Sequence, residues 1–261
     1  MVKLFNYIKN YFISEHVNKF CPVCQSKVEK FMPLSEQFRG KVVIENKEYL
    51  PYLEAEMLNA NEYSCPKCGA SDRERFYALY LKNYLFKRYK TENIKMVHFA
   101  PEASLRNFLN IFTFSEYRTA DLMMDKVDDK ADLTNLHMYK DNYFDFFICS
   151  HMLEHIIDDI SAMKELYRIL KPNAKGILVV PILEGLNEIH EDVAITTEVE
   201  RLLNFGQADH VRMYNKNGYL KRLTNVGFKV HEIGYKEFSK NIFEQSGITE
   251  KSILYIVEKV N

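Results

Sequence analysis

The sequence has no tryptophan, no low-complexity tract and no long uninterrupted hydrophobic run in its 261 residues. A membrane-spanning helix needs about 18 or more consecutive apolar residues, so no membrane span is predicted. Lysine and arginine together number 35 and aspartate and glutamate 36, which gives a net charge of −1. The positive excess that supports strongly electrostatic nucleic-acid binding is therefore missing. With 47% hydrophobic residues, the chain can bury a sizeable core.

Two further features are absent, and each disfavours a class of protein. No Gly-x-Gly-x-x-Gly motif follows a predicted strand, which argues against a nicotinamide dehydrogenase. Residues 1–20 are too polar and too periodic for a secretion signal and lack a small-residue cleavage site. They predict an amphipathic helix that packs on the protein itself, and we expect a cytoplasmic location. The apolar face of this helix carries Leu4, Tyr7, Ile8, Tyr11 and Phe12.

Four of the five cysteines form two Cys-x-x-Cys pairs, Cys21 with Cys24 and Cys65 with Cys68. Such pairs present two sulfurs each to one ion, and four thiolates are typical of a structural zinc site with no open position. Two disulfides are disfavoured without an export signal, and unrelated thiols remain the other alternative. We therefore predict an N-terminal helix and zinc-binding module over residues 1–92.

Residues 143–181 predict a strand, a helix and a second strand. The run Phe144–Cys149 is apolar and short enough for a buried strand. A helix follows Asp158, with apolar residues at helical spacing, and is expected to stop at Pro172. Gly176–Val180 is the second apolar strand. Two strands that are apolar throughout indicate a parallel sheet covered on both faces.

The rest of the second half continues this alternation. The predicted elements are a first strand over 94–102, a second strand over 116–120 that ends in Asp121, a helix over 218–226 that stops at Gly227, and final strands over 228–235 and 253–259. In a doubly wound sheet, a carboxylate at the tip of the second strand lies beside a bound ribose. The alternative for Asp121 is a surface acid that caps the following turn.

The segment FDFFICSHMLEHIIDD…MKELYRILKP resembles the central segment of class I S-adenosylmethionine (SAM)-dependent methyltransferases, of the type 11 kind. The first loop, HFAPE, and the later FGQADHVR resemble a branch of that family that also carries an N-terminal Cys-x-x-Cys pair. The resemblance implies an α/β, doubly wound, Rossmann-like seven-stranded methyltransferase sheet over 93–261, with a lid insertion at 183–218.

This chain departs from the family's pattern at two turns. Asn173-Ala174 stands where the family usually has two glycines, and asparagine tolerates the left-handed conformation. The first loop has no glycine, whereas glycines there normally let the backbone approach the cofactor. We expect a subfamily with its own turn, and the alternative is a cofactor site that no longer binds.

The resemblance also implies which residues hold the cofactor. Asp132 would accept from the adenine amino group, Leu133 would cover the ring, and Asp121 would bind the ribose hydroxyls. The predicted cofactor-binding residues are Phe99, Ala100, Pro101, Glu102, Asp121, Leu122, Asp132, Leu133, Ser150, His151 and Met152.

Methyl transfer to a hydroxyl or amine needs a group that accepts a proton, and a neutral histidine suits that task. The predicted catalytic residues are His210, with Asp209 beside it, and His151, while packing or capping is the favoured role of His155. The predicted substrate-binding residues, all in the lid, are Gln207, Arg212 and Arg201.

We therefore expect a SAM-dependent methyltransferase with structural zinc that acts on the oxygen or nitrogen of a small-molecule or sugar-containing (glycan-type) acceptor. One alternative is a methyltransferase of rRNA or tRNA with a zinc module, which the near-zero net charge makes unlikely. The other is a degenerate SAM-fold protein that binds a partner, which the glycine-free first loop would favour.

Overall fold

The computed structural model describes residues 19–260, so the predicted amphipathic helix near the start lies outside the described residues. The strands of the described part are, in chain order, β1 (Lys19–Cys21), β2 (Ser26–Val28), β3 (Val42–Ile44), β4 (Lys47–Tyr49), β5 (Lys95–Phe99), β6 (Glu116–Asp121), β7 (Asp129–Lys130), β8 (Phe144–Ser150), β9 (Leu170–Val179), β10 (His190–Glu191), β11 (Arg212–Met213), β12 (Phe228–Ile233) and β13 (Leu254–Lys259).

Helices alternate with these strands. They are α1 (Pro51–Glu54), α2 (Asp72–Tyr80), α3 (Phe86–Arg88), α4 (Ala103–Leu109), α5 (Asp159–Ile169), α6 (Glu198–Phe205), α7 (Lys216–Val226) and α8 (Lys240–Gln245), with a π-helical turn, Leu81–Leu85, between α2 and α3. Within residues 19–260, no helix is both long and apolar enough to cross a membrane.

Seven strands form one sheet in the order β12-β13-β9-β8-β5-β6-β7. Strands β5 to β9 run parallel to their neighbours, and β13 pairs antiparallel with both β9 and β12. After β5, the chain adds β6 and β7 on one side of it and then β8 and β9 on the other side. The direction in which strands are added therefore reverses between β5 and β8. Ligands bind at such a reversal, outside the carboxyl ends of the strands. The sheet confirms the predicted Rossmann-like methyltransferase fold.

Apolar side chains cover both faces of the sheet, as the sequence of β8 predicts. Phe146 and Ile148 face one core and Phe147 and Cys149 the other, and all four side chains are fully buried. Alternate residues of a strand point to opposite faces, so a strand buried on both sides must be apolar throughout.

The predicted ends of several elements were wrong by a few residues. The first strand ends at Phe99, since Ala100 has a left-handed φ of 44° and Pro101 has no N–H to donate to the sheet. Helix α5 ends at Ile169, before Pro172, because β9 already begins at Leu170. The other differences are α7, which starts at Lys216, β12, which ends at Ile233, and β13, which starts at Leu254.

Two capping predictions were confirmed. Asn173 has a φ of 62°, so it adopts the left-handed conformation that a glycine would take in the related sequences. Gly227 ends α7 with a φ of 113°, and its N–H donates to the carbonyl of Leu223. Helix α2 begins with a capping box in which Ser71 and Glu74 hydrogen-bond each other's backbone N–H groups.

The described part of the predicted N-terminal module shares a core with the sheet. Cys21 and Cys65 are buried in the same apolar cluster as Phe146 of β8 and Ile177 of β9, and α2 supplies Phe76 to that cluster. The cysteine pairs therefore pack directly on the layer that covers one face of the sheet.

Candidate functional site

The carboxyl ends of β5, β6 and β8 meet at one edge of the sheet, and most of the predicted cofactor residues follow these ends. Because β5 lies between β6 and β8, its turn is flanked by the other two. Parallel strands bring their carboxyl ends together, so the three turns line one crevice.

The glycine-free turn after β5 is held in the conformation that a glycine would favour. Ala100 has a φ of 44°, and its N–H donates to the carbonyl of Ala120 in β6 at 2.9 Å. Glu102 lies 3.0 Å from Nε2 of His98, and Arg73 lies 3.9 Å from its other oxygen. Although burial acts in the opposite direction, the hydrogen bond with His98 and the charge of Arg73 lower the pKa of Glu102.

Asp121 at the tip of β6 uses one carboxylate oxygen to hold the following turn. Its Oδ1 accepts from the N–H groups of Met123 and Met124, both at 2.7 Å. Asp121 therefore does cap the following turn, as the alternative from the sequence proposed. Its Oδ2 accepts no hydrogen bond from the described residues. Leu122, next to it, is exposed.

Asp132 and Leu133 occupy very different surroundings. Oδ1 of Asp132 accepts from the N–H and the hydroxyl of Thr134, both at 2.8 Å, and the residue is exposed. Leu133 is only 3% exposed and packs in the core with Leu136 and Ala131. Its side chain therefore offers little surface to an adenine ring in this conformation.

His151 follows β8 in an unusual backbone conformation. Its φ is 53°, in the left-handed region, and its N–H donates to the carbonyl of Val179 at 2.8 Å. Backbone strain of this kind concentrates at functional sites. Ser150, before it, exchanges a hydrogen bond of 3.0 Å with the hydroxyl of Tyr77 from α2. Met152, after it, is half-buried.

A buried carboxylate, Glu154, and two imidazoles, those of His155 and His210, lie close to His151. Glu154 is 0% exposed, and neither of its oxygens has a hydrogen-bond partner among the described residues. Burial raises the pKa of Glu154 to about 8. Burial, and the neighbouring His155, lower the pKa of His210 to about 4. Burial, followed by the charge of Arg73, also lowers the pKa of His151 well below its usual range.

Asp209 contacts His155 rather than His210. Its Oδ2 lies 3.3 Å from Nδ1 of His155, and its backbone carbonyl lies at the same distance from that nitrogen. The rings of His155 and His210 meet edge to face, with centroids 4.7 Å apart. The carboxylate predicted to orient His210 thus orients its neighbour.

The predicted lid, residues 183–218, is ordered and lies over the loop that follows β8. It contains β10, α6 and β11, and the N–H of Val211 donates to the carbonyl of Glu154 at 2.8 Å. On its other side it packs against the insertion between the cysteine pairs, where Phe205 of α6 shares a small core with Val42.

Arg212 is not placed as a substrate clamp. It is 4% exposed, and its guanidinium donates to Glu191 and to the backbone carbonyls of the loop after β8, which are those of Leu153, Ile156 and Ile157. With its donors engaged in this way, Arg212 fixes the lid to that loop. Gln207 is exposed, and Arg201 on α6 is half-buried with an unpartnered Nε among the described residues.

The four paired cysteines converge on one point. Their sulfurs all lie within 4.8 Å of one another, with 3.8 Å between Cys21 and Cys68 and 3.9 Å between Cys24 and Cys65. These separations are far longer than a disulfide bond of about 2.05 Å. The carbonyl of Cys68 also accepts from the hydroxyl of Ser104 in α4 at 2.6 Å, so the cluster adjoins the first cofactor loop.

Sequence reasoning missed Glu154 and Arg73 as members of this site. Glu154 belongs to the Leu-Glu-His segment that carried the resemblance. Its place in that segment was the feature of the sequence that could have identified it as a site residue. Arg73 comes from α2, upstream of the predicted sheet, and only the packing of α2 against the strand ends brings it to Glu102.

Part of the chain matches a known protein family. Residues 115–179, less than half of the chain, match a family described as a methyltransferase domain. Together with the fold, this match indicates a methyltransferase. No curated protein matches the chain.

Solved structures resemble this chain at low identity. A SAM-dependent methyltransferase from Archaeoglobus fulgidus is 14% identical over 74% of this chain and 96% of that chain, with a TM-score of 0.45. One from Mesorhizobium loti is 13% identical over 65% and 92%, with a TM-score of 0.43. Phosphoethanolamine N-methyltransferase 2 from Haemonchus contortus is 13% identical over 74% and 53%, with a TM-score of 0.46. These similarities concern the fold alone.

Proposed function

We propose that this protein transfers a methyl group from SAM to an oxygen or nitrogen of a small-molecule or sugar-containing acceptor. The observation that carries the proposal is the set of polar side chains at the carboxyl ends of β5, β6 and β8, where a doubly wound sheet binds its ligand. The near-zero net charge supports a small acceptor over a nucleic acid.

The residues at the strand ends fit the cofactor. Ala100 gives the first turn the left-handed geometry without a glycine, and Oδ2 of Asp121 is available for ribose hydroxyls. SAM, when bound, supplies the electrophilic methyl group, and the protein supplies alignment and a proton acceptor. The other proposed cofactor contacts are Phe99, Pro101, Glu102, Leu122, Asp132, Leu133, Ser150, His151 and Met152.

His151 is the better placed of the two proposed proton acceptors, and His210 is the second. His151 directly follows β8, and its Nε2 has no partner within residues 19–260. Because the pKa of each histidine is lowered, both are neutral at pH 7, the form that accepts a proton. The lid, 183–218, would cover this proton acceptor and exclude water.

We also propose that the four thiolates bind structural zinc. Zinc–sulfur bonds of about 2.3 Å place the sulfurs of a tetrahedral site about 3.8 Å apart. The two short sulfur–sulfur distances, 3.8 and 3.9 Å, fit that geometry. In this proposal, residues 1–92 form the zinc-binding module and residues 93–261 the methyltransferase domain of a cytoplasmic enzyme.

Cofactor binding tests the proposed function first. Asp121→Ala should weaken binding of SAM and of its demethylated product by about 1–3 kcal/mol, since hydrogen bonds to a charged group are lost. Titration calorimetry of both compounds measures this. Asp125→Ala is the matched control, because the Asp125 side chain is 99% exposed and should not matter. A folded wild-type protein that binds neither compound would favour the partner-binding alternative.

Turnover tests the proton acceptor once an acceptor is found by mass-spectrometric screening of metabolites with SAM. His151→Ala should lower kcat at saturating SAM by about 10²–10⁴-fold, the usual contribution of a general base. His231→Ala is the control, since His231 pairs with Glu258 on β12 and β13, away from the lid. Unchanged kcat in His151→Ala would remove His151 as the acceptor and leave His210.

A further inference from the structure

A second candidate metal site lies beside the proposed reaction centre, distinct from the cysteine cluster. Glu154, His155 and His210 each offer a ligand atom, and these atoms lie within 4.8 Å of one another. For nitrogen and oxygen ligands about 2.1 Å from an ion, neighbouring ligand atoms of a tetrahedral site are about 3.4 Å apart. The three atoms would have to approach one another from separations of up to 4.8 Å to reach that spacing.

The carboxylate of Glu154 is the strongest sign that something is bound here. It is fully buried, and neither oxygen accepts a hydrogen bond from the described residues. A buried carboxyl group avoids the cost of an unpaired charge by staying protonated, by pairing or by coordinating a metal, and two imidazoles lie close enough to share a metal with Glu154. Nδ1 of His151 lies 3.4 Å from Oε1 of Glu154 and makes no hydrogen bond with it.

Two guanidinium groups act on Glu154 as well, but each has a closer carboxylate. Arg73 lies 3.9 Å from Glu102, and Arg212 lies 2.8 Å from Glu191. Glu102 and Glu191 thus each have a guanidinium partner, whereas neither oxygen of Glu154 has a hydrogen-bond partner among the described residues.

The surroundings of His155 match those of a metal-binding histidine. Metal-ligating imidazoles almost always donate their other ring N–H to a carboxylate or a backbone carbonyl. Nδ1 of His155 has both within reach, since Oδ2 and the backbone carbonyl of Asp209 each lie 3.3 Å away. If Nδ1 donates its hydrogen to either oxygen, Nε2 is the nitrogen that could bind an ion.

We propose that Glu154, His155 and His210 bind a divalent first-row transition ion of the zinc class. Two imidazoles and one carboxylate suit such an ion better than magnesium or calcium, which prefer oxygen ligands. Three protein ligands leave a coordination position open, as in catalytic rather than structural zinc sites.

The open position gives this site a role that rests on the proposed methyl transfer. An acceptor hydroxyl bound there would lose its proton more readily, because a metal ion lowers the pKa of a bound oxygen acid. With His210 held by the ion, the proton would pass to His151, the proposed proton acceptor that is not one of the three ligands. Acceptors with oxygen atoms that bind metals, such as vicinal hydroxyls or carboxylates, are the class this arrangement favours.

Metal counting on the full-length protein tests the site without any activity assay. Native mass spectrometry of protein loaded with zinc should show two ions per chain in the wild type. Glu154→Gln, which keeps the shape and removes the charge, should show one, and so should His155→Ala, a second variant at a partly exposed position. His231→Ala should retain two. Wild type that binds a single ion, or Glu154→Gln and His155→Ala that both keep two, would overturn the proposal.

Cobalt(II) separates the two sites by their ligands. Thiolate–cobalt charge-transfer absorption should saturate at the first equivalent, and a second equivalent should bind with only weak visible bands and be lost in Glu154→Gln. A second cobalt equivalent that adds thiolate absorption contradicts the assignment. So does a second site that binds magnesium but not cobalt. Two bound ions in a protein that binds no SAM would instead refute the proposed function and leave the metal site standing.

Discussion

Removal of the zinc that we propose for the four thiolates is expected to unfold the region around the cysteine pairs and to destabilise the whole domain. Structural zinc contributes about 10–16 kcal/mol of apparent binding free energy, and that energy is folding energy. The total stability of a domain is only about 5–15 kcal/mol. Because Cys21 and Cys65 are buried in the same core as Phe146 and Ile177, the loss cannot remain local.

Cys24→Ser is the variant that measures this effect. It should bind one zinc fewer than wild type and lower the melting temperature by at least about 10 °C, at about 2 °C per kcal/mol for a chain of this size. Cys149→Ala is the matched control: Cys149 is equally a free thiol but lies in β8, so this variant should keep all its zinc. Full stability in metal-free protein would show that the four thiols have another purpose.

The sequence predicted the sheet because its strands are buried on both faces. Apart from Asp145, Phe144–Cys149 and Gly176–Val180 carry no polar side chain, and short apolar runs of this kind are typical of strands covered on both faces. The positions of Asp121 and His151 followed, since a polar residue directly after a buried strand must lie at the edge of the sheet. Helix ends were less certain, and α5 stops before Pro172 because the pairing of Leu170 with Phe144 in β8 outweighs local preference.

The roles of buried charged residues could not be predicted from the sequence. Arg212 looked like a substrate clamp, and the carbonyls that engage it belong to Leu153, Ile156 and Ile157, more than fifty residues upstream. Glu154 was not singled out from the sequence at all. A charged side chain is buried or exposed according to long-range packing, and local periodicity carries no signal of it.

The buried side chain of Arg75 contacts residues that lie far apart in the sequence. Its side chain is 0% exposed and stacks over the ring of Phe31, with 3.8 Å between the guanidinium carbon and the ring centre. Its five N–H groups donate to five backbone carbonyls. Three of these carbonyls flank the second cysteine pair in the sequence, and two follow α8. The carbonyls belong to Glu62, Tyr63, Ala70, Ser246 and Gly247, at 2.5 to 3.1 Å.

Arg75→Lys is therefore expected to destabilise the protein although it keeps the charge. An ammonium has three donors, so at least two of the five carbonyls lose their partner. Each buried carbonyl left without a donor costs about 1–3 kcal/mol, for a total of about 2–6 kcal/mol. Thermal unfolding should show a fall in melting temperature of at least about 4 °C.

Arg88→Lys is the matched control for this substitution, because Arg88 at the end of α3 is exposed. A surface change of this kind should alter stability by no more than about 0.5 kcal/mol. Zinc release should also be faster in Arg75→Lys, since the carbonyl of Ala70 accepts from both Arg75 and the N–H of Cys65. If Arg75→Lys has the same melting temperature and the same rate of zinc release as Arg88→Lys, the guanidinium does not join the cysteine pairs to the C-terminal part of the domain.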